Sequence, residues 1–148
     1  MVAENAYAAV VRRAFEDFDS GDLDLLDIVM APNVVWHEPG RSALAGDYTG
    51  PEAVLGFLGQ LKARSNGTFS VEVLDVLSEP ERAVVFVRET AKTAETALDV
   101  IAVVNFEIHN QKITEVTVYH ADTYHFDEFW AGTQGDVAAY PPNQSEMV

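Results

Sequence analysis

Residues 97–108, ALDVIAVVNFEI, constrain the fold more than any other stretch of the chain. Their middle is apolar at successive positions, and successive residues of a strand point to opposite faces. Such a strand has to be covered on both sides, so it belongs inside a sheet and not at its edge. Its neighbours in sequence are strands as well. Phe69, Val71 and Val73 alternate with Ser70 and Glu72, the mark of a half-buried strand, and a second strand is predicted over about 83–92. Glu79-Pro80-Glu81-Arg82 is a turn between them, and Thr93-Ala94-Glu95-Thr96 leads into the long strand. His109-Asn110-Gln111-Lys112 is a hairpin connection to a final strand, Ile113 to about Ala121. Strands joined this tightly form an antiparallel meander.

The N-terminal half has the helical period. Tyr7, Val10, Val11, Ala14, Phe15 and Phe18 recur at spacings of three and four, which predicts a helix over 3–19 with one apolar stripe. Gly21 suits a left-handed cap. Asp22 can cap a short second helix at about 23–30, with Leu25, Leu26, Val29 and Met30 inward, and Pro32-Asn33 breaks it. A third helix is expected over about 51–64, with Val54, Phe57, Leu58 and Leu61 as its stripe. Thr49 and Glu52 have capping-box spacing, and Pro51 fits a first turn. Between the second and third helices lies a short strand, Val34-Val35-Trp36-His37-Glu38, stopped by Pro39-Gly40. A loop follows whose large polar members are Arg41, Asp47 and Tyr48. A short helix, Tyr124 to Trp130, closes the domain. The order predicts an α+β fold of three N-terminal helices wrapped by a curved, mainly antiparallel β-sheet. One domain is expected over 1–131, with a tail over 132–148 that is loose or packed on a partner subunit. The apolar content on both faces of 97–108 further predicts a homodimer through the outer sheet face.

Charge removes several function classes. The chain carries 24 acids against nine Lys and Arg, a formal charge of −15, which repels a phosphate backbone or an anionic membrane. Neither nucleic acid nor membrane is therefore expected as a partner. No apolar run approaches the ~20 residues of a membrane span. The N-terminus, MVAENAYAAVVRR, lacks the basic-then-apolar order of a signal peptide, so a cytoplasmic location is expected. There is no cysteine, which excludes disulfides and thiolate metal sites. No phosphate-cradling glycine loop, dinucleotide fingerprint or serine-nucleophile elbow is present.

Four segments in this order and at these distances carry a resemblance. They are Ser20-Gly21-Asp22, Trp36-His37-Glu38-Pro39-Gly40, Gly46-Asp47-Tyr48-Thr49-Gly50, and Tyr119-His120-Ala121-Asp122 leading to Phe126-Asp127-Glu128-Phe129-Trp130. Over residues 1 to about 131 the chain resembles the SnoaL-like polyketide cyclases, within the cone-shaped superfamily of nuclear transport factor 2-like and ketosteroid isomerase-like proteins. The resemblance implies a deep, mostly apolar cavity and cofactor-free acid–base chemistry. The same fold also hosts pure binding and scaffold proteins. Glu38 falls where ketosteroid isomerases keep their proton-shuttling acid. The oxyanion tyrosine and the protonated acid of that group correspond to Ala14 and Val104, so both oxyanion donors are missing and steroid isomerisation by that arrangement is rejected. The acid–base aspartate of the SnoaL-like cyclases lies near the end of the last strand, where Asp122 is the nearest match.

The candidate catalytic residues are thus Asp122, His120, His37 and Glu38. Alternation in the last strand puts Val116, Val118, His120 and Asp122 on one inward face, and Asp122 can also cap the closing helix. Only one of His37 and Glu38 can enter the cavity from a regular strand; the resemblance favours His37. Candidate substrate contacts are Trp36, Arg41, Tyr48, Phe57, Leu61, Val104, Val118 and Tyr119. His37, Glu38, His120 and Asp122 are a conceivable set of metal ligands, but their spacing matches no recognised pattern, so no metal and no cofactor are expected. The expected activity is cyclisation or isomerisation of an apolar, polyketide-like carbonyl compound. The alternatives are an epoxide hydrolase-like enzyme and a non-catalytic ligand-binding or scaffold module.

Overall fold

The computed structural model describes residues 6–133, so the 134–148 part of the expected tail lies outside the described residues. Helix α1 (Ala6–Asp19) and the short α2 (Asp24–Val29) come first. Strand β1 (Met30–Glu38) and β2 (Gly46–Thr49) precede α3 (Pro51–Arg64). Then come β3 (Ser70–Glu79), β4 (Arg82–Lys92), β5 (Ala97–His109), β6 (Lys112–His120) and α4 (Thr123–Ala131). All six strands form one sheet in the order β2-β1-β6-β5-β4-β3. Every pairing is antiparallel except β1 with β6. Among the described residues no helix is long and apolar enough to cross a membrane.

The α+β cone expected from the sequence is the fold observed. β5 is interior to the sheet, between β4 and β6. Its inner positions, Leu98, Val100, Ala102, Val104, Phe106 and Ile108, are all buried against the helices. The α3 stripe of Val54, Phe57, Leu58 and Leu61 is buried as well, as are Val11, Ala14 and Phe18 of α1. On the outer face Ile101 and Tyr119 are exposed and Val103 is half-buried.

Three local expectations are corrected. β1 begins at Met30, so Met30 ends no helix and Pro32 lies within the strand. Proline is tolerated there because the pairing with β6 is irregular between Met30 and Val35, where a missing N–H breaks no ladder bond. Residues 46–49, expected as loop, form an edge strand that pairs Tyr48 with Trp36 and Thr49 with Val35. The N-cap of α3 is Gly50 at φ 89, which makes no side-chain cap bond, so the Thr49–Glu52 capping box does not form. Pro51 does take the first turn. Gly21, at φ 89, takes the left-handed position expected of it.

Candidate functional site

The inner face of the sheet alternates, and the alternation places two acids among hydrocarbons. In β1 the inward residues are Val34, Trp36 and Glu38. In β4 they are Ala83, Val85, Val87, Glu89 and Ala91. Glu38 and Glu89 are 7% and 8% exposed, and both line one cavity of about 50 Å3. The rest of that wall is almost wholly apolar: Val11 and Phe15 of α1, Leu61 of α3, Val104 of β5, Val118 of β6 and Phe126 of α4 are among its members.

Each acid has one side-chain hydrogen-bond partner among the described residues. Trp36 Nε1–H donates to Glu38 Oε1 at 3.0 Å. His120 Nε2 lies within hydrogen-bond distance of Glu89 Oε1, at 3.0 Å. The His120 ring is fully buried, stacks on Phe126 at 3.8 Å between centroids, and has no partner at Nδ1 among the described residues. Burial pushes the Glu38 carboxyl well above its ordinary 4.5, the charge of Glu89 pushes it further, the Trp36 hydrogen bond pulls it back, and the charge of Asp127 adds a smaller push. Glu38 therefore holds its proton more tightly than an ordinary glutamate does.

Asp127 also fixes the loop that follows β1. Its Oδ2 accepts from the Arg41 backbone N–H at 2.9 Å, and its carboxyl packs against Gly40. Gly40 has φ +99, and a Cβ there would collide with Asp127 Oδ1. Only glycine satisfies both demands, so the loop is held down on α4 beside Glu38.

The sequence candidates divide accordingly. Trp36, Glu38, Leu61, Val104 and Val118 line the cavity, and His120 stands behind its wall, joined through Glu89. Phe57 is buried but packs outside the lining, between Trp36 and Tyr48, at 5.8 and 4.6 Å between ring centroids. Tyr48 lies on the edge strand and donates its hydroxyl to Leu44 O at 2.8 Å. The positions of Ala14 and Val104, read as missing oxyanion donors, do face the cavity.

His37, favoured for the cavity, points outward: alternation gives the inner face to Trp36 and Glu38. Its Nδ1 lies 2.7 Å from Asp47 Oδ1 and its Nε2 2.7 Å from Glu115 Oε2. Asp122, expected at the pocket, is exposed and accepts from the His125 backbone N–H at 3.0 Å as the N-cap of α4. β6 ends at His120, so the strand alternation that would aim Asp122 inward stops before it. Arg41 is exposed and meets the site only through its backbone, and Tyr119, 58% exposed, faces out. His37 and Glu38 on opposite faces also rule out the four-residue ligand set. Glu89 was missed altogether. Its signal was present: a lone acid in phase with Ala83, Val85 and Val87 on an otherwise apolar face.

The SnoaL-like domain family matches residues 11–116. An uncharacterized protein of Mycobacterium tuberculosis is 34% identical over 131 residues, 88% of this chain and 100% of its own length. The solved structure of Bal32a, from a soil-derived mobile gene cassette, is 36% identical over 83% of this chain and 95% of that one, with a TM-score of 0.80. A structure from Jannaschia sp. CCS1 named for the SnoaL-like polyketide cyclases covers 95% of this chain and 100% of its own, with a TM-score of 0.67 and 16% identity, a likeness of fold.

Proposed function

Since the chain belongs to the SnoaL-like family, we propose that it is an acid–base catalyst for a neutral, apolar carbonyl compound of polyketide-like chemistry, with Glu38 and Glu89 as its catalytic residues. The observation that carries this is the pair of buried carboxyls on one hydrocarbon wall, one bonded to an indole N–H and the other to an imidazole. Two acids in such unlike surroundings supply a proton donor and a proton acceptor in one site.

The step follows from the pair. Glu89 carboxylate takes a proton from the carbon alpha to the carbonyl, while the Glu38 carboxyl gives its proton to the carbonyl oxygen, leaving a neutral enol. For isomerisation, Glu89 returns its proton to a different carbon as the enol O–H returns its own to Glu38. For ring closure, the enol carbon attacks a second carbonyl of the same molecule, whose oxygen takes the proton from Glu89; the enol O–H again restores Glu38. Every proton is returned and no co-reactant is consumed. Holding a flexible chain in its reactive fold lowers the entropic part of the barrier in addition. His120 acts here as a positioning residue that fixes the Glu89 carboxylate.

The test is deuterium wash-in from D2O at the alpha carbon of neutral aryl ketones and 1,3-diketones, followed by NMR. Wild-type protein should accelerate exchange over buffer. Glu38→Gln keeps an oxygen for Trp36 but carries no transferable proton, and should lower the rate at least ~100-fold. Binding without any acceleration would leave a ligand-binding module in place of an enzyme. The outer sheet face, with Ile101, Val103 and Tyr119, is proposed to take a second copy of the chain; sedimentation as a monomer at micromolar concentration would refute the homodimer.

A further inference from the structure

We infer that the ligand site has two lobes, and that a groove outside Val11 and Ile113 takes the distal apolar part of a ligand whose carbonyl end sits beside Glu38 and Glu89. The inference rests on the proposed acid–base reading only for which end points inward.

Size raises the question. The inner cavity holds about 50 Å3. An apolar cavity of about 150 Å3 is what benzene occupies in a protein core. The inner space alone therefore takes a reactive end group and little more. A larger space adjoins it. A groove of about 260 Å3 lies between the first turns of α1, the end of α2 and the β5–β6 hairpin, walled by Tyr7, Val10, Val29, Ile108 and Gln111. Val11 and Ile113 line both spaces. They are 2% and 3% exposed, so the partition is built of these two aliphatic side chains, each facing a space on either side.

The backbone is irregular at the same place. Ile113 pairs with Met30 on one side and with Ile108 on the other. The β1–β6 ladder shifts register between Met30 and Val35, and the β5–β6 ladder shifts between Glu107 and Ile108. Both ladders that hold Ile113 thus depart from regular pairing beside it. Bulges of this kind re-aim a side chain and cluster next to sites.

The groove's chemistry defines the occupant. Its walls are aliphatic, with Tyr7 and the Gln111 amide as polar members. A chain of formal charge −15 repels an anionic tail. The fitting ligand is a neutral carbonyl compound with an alkyl or aryl extension, and Val11 and Ile113 set how long it can be.

A homologous series of neutral n-alkyl phenyl ketones tests this, with dissociation constants measured by calorimetry or ligand-observed NMR on the full chain. For wild-type protein, affinity should rise about fourfold for each methylene that enters the groove, the equivalent of ~0.8 kcal/mol per buried CH2. Val10→Trp, on the wall of the groove alone, should abolish that increment; Val29→Trp, on the facing side, is the second variant if the first does not fold. Glu38→Gln should stop alpha-proton exchange and keep the increment, so failure of the chemistry and failure of the groove are separable. Affinity that is flat with chain length, absence of binding by every member, or an increment that survives in both tryptophan variants would each overturn the two-lobed site.

Discussion

His37 and Glu38 are neighbours on β1, and each meets a histidine–acid pairing, yet their surroundings differ in kind. His37 bridges Asp47 and Glu115 on the outer face with its side chain 32% exposed. Glu38 faces Glu89, whose partner His120 is fully buried. Outside, hydrogen bonds to the two acids raise the imidazole above its ordinary 6.5. Inside, burial itself is the largest cause of the rise at Glu38, and the charge of Glu89 adds to it. Water screens the first cluster and leaves it worth little; the second is expensive to leave incomplete. The pairing of residue types is shared, and burial decides which one is a site.

The largest contrast is in stability. His120→Ala leaves the buried Glu89 without its hydrogen-bond partner and empties the space beside Phe126, and should destabilise the fold by about 3 kcal/mol in denaturant titrations. His37→Ala removes two bonds to partners that are 66% and 51% exposed, and should cost under ~1 kcal/mol. Equal losses at the two sites would erase the distinction.

The pH dependence sharpens it. Both groups have raised values in the folded chain, so each binds its proton more tightly when folded, and stability falls as pH rises through each window. For Glu38 the contribution is complete below 4.5 and is lost as pH climbs to its raised folded value. For His37 it is complete below 6.5 and is lost above that, with a smaller amplitude because the group is exposed. Glu38→Gln should flatten the lower window and His37→Gln the upper one, read from unfolding midpoints across pH. A slope that stays unchanged in the lower window after Glu38→Gln would show that folding does not raise its affinity for a proton.

The smallest effect is expected at Asp122. Asparagine caps a helix as well as aspartate does, so Asp122→Asn should change stability by less than about 0.5 kcal/mol and leave alpha-proton exchange at the wild-type rate. A loss as deep as that of Glu38→Gln would return Asp122 to the chemistry.

Most of the architecture could be read from periodicity, because the meander and the stripes of α1 and α3 follow from local patterns of two and of three to four. The site was partly legible. His120 and Val118 follow from alternation within β6, and Trp36 and Glu38 from alternation within β1 once one face is chosen. The choice itself was not available locally: His37 and Glu38 are both polar, and which one faces in is settled by Val34 and Trp36 packing on α3. Asp122 shows the complementary failure, an alternation carried past the residue where the strand stops. Glu89 needed no three-dimensional knowledge, only attention to one acid in phase with valines.

The parallel pairing of β1 with β6 has a consequence for how the molecule comes together. No hairpin joins Trp36 to Val116; the chain must run through α3 and the whole meander before they meet. Closing so long a loop costs more entropy than any neighbouring-strand contact, and non-local pairings of this kind are the slow ones. Glu89 takes its place with the meander, whereas Glu38 arrives only when β1 docks. Until then its carboxyl is solvated and has its ordinary affinity for a proton; afterwards burial raises that affinity. Proton uptake from the medium, at a pH above 4.5, is therefore a reporter of that last docking event, readable with a pH-indicator dye during refolding in weak buffer.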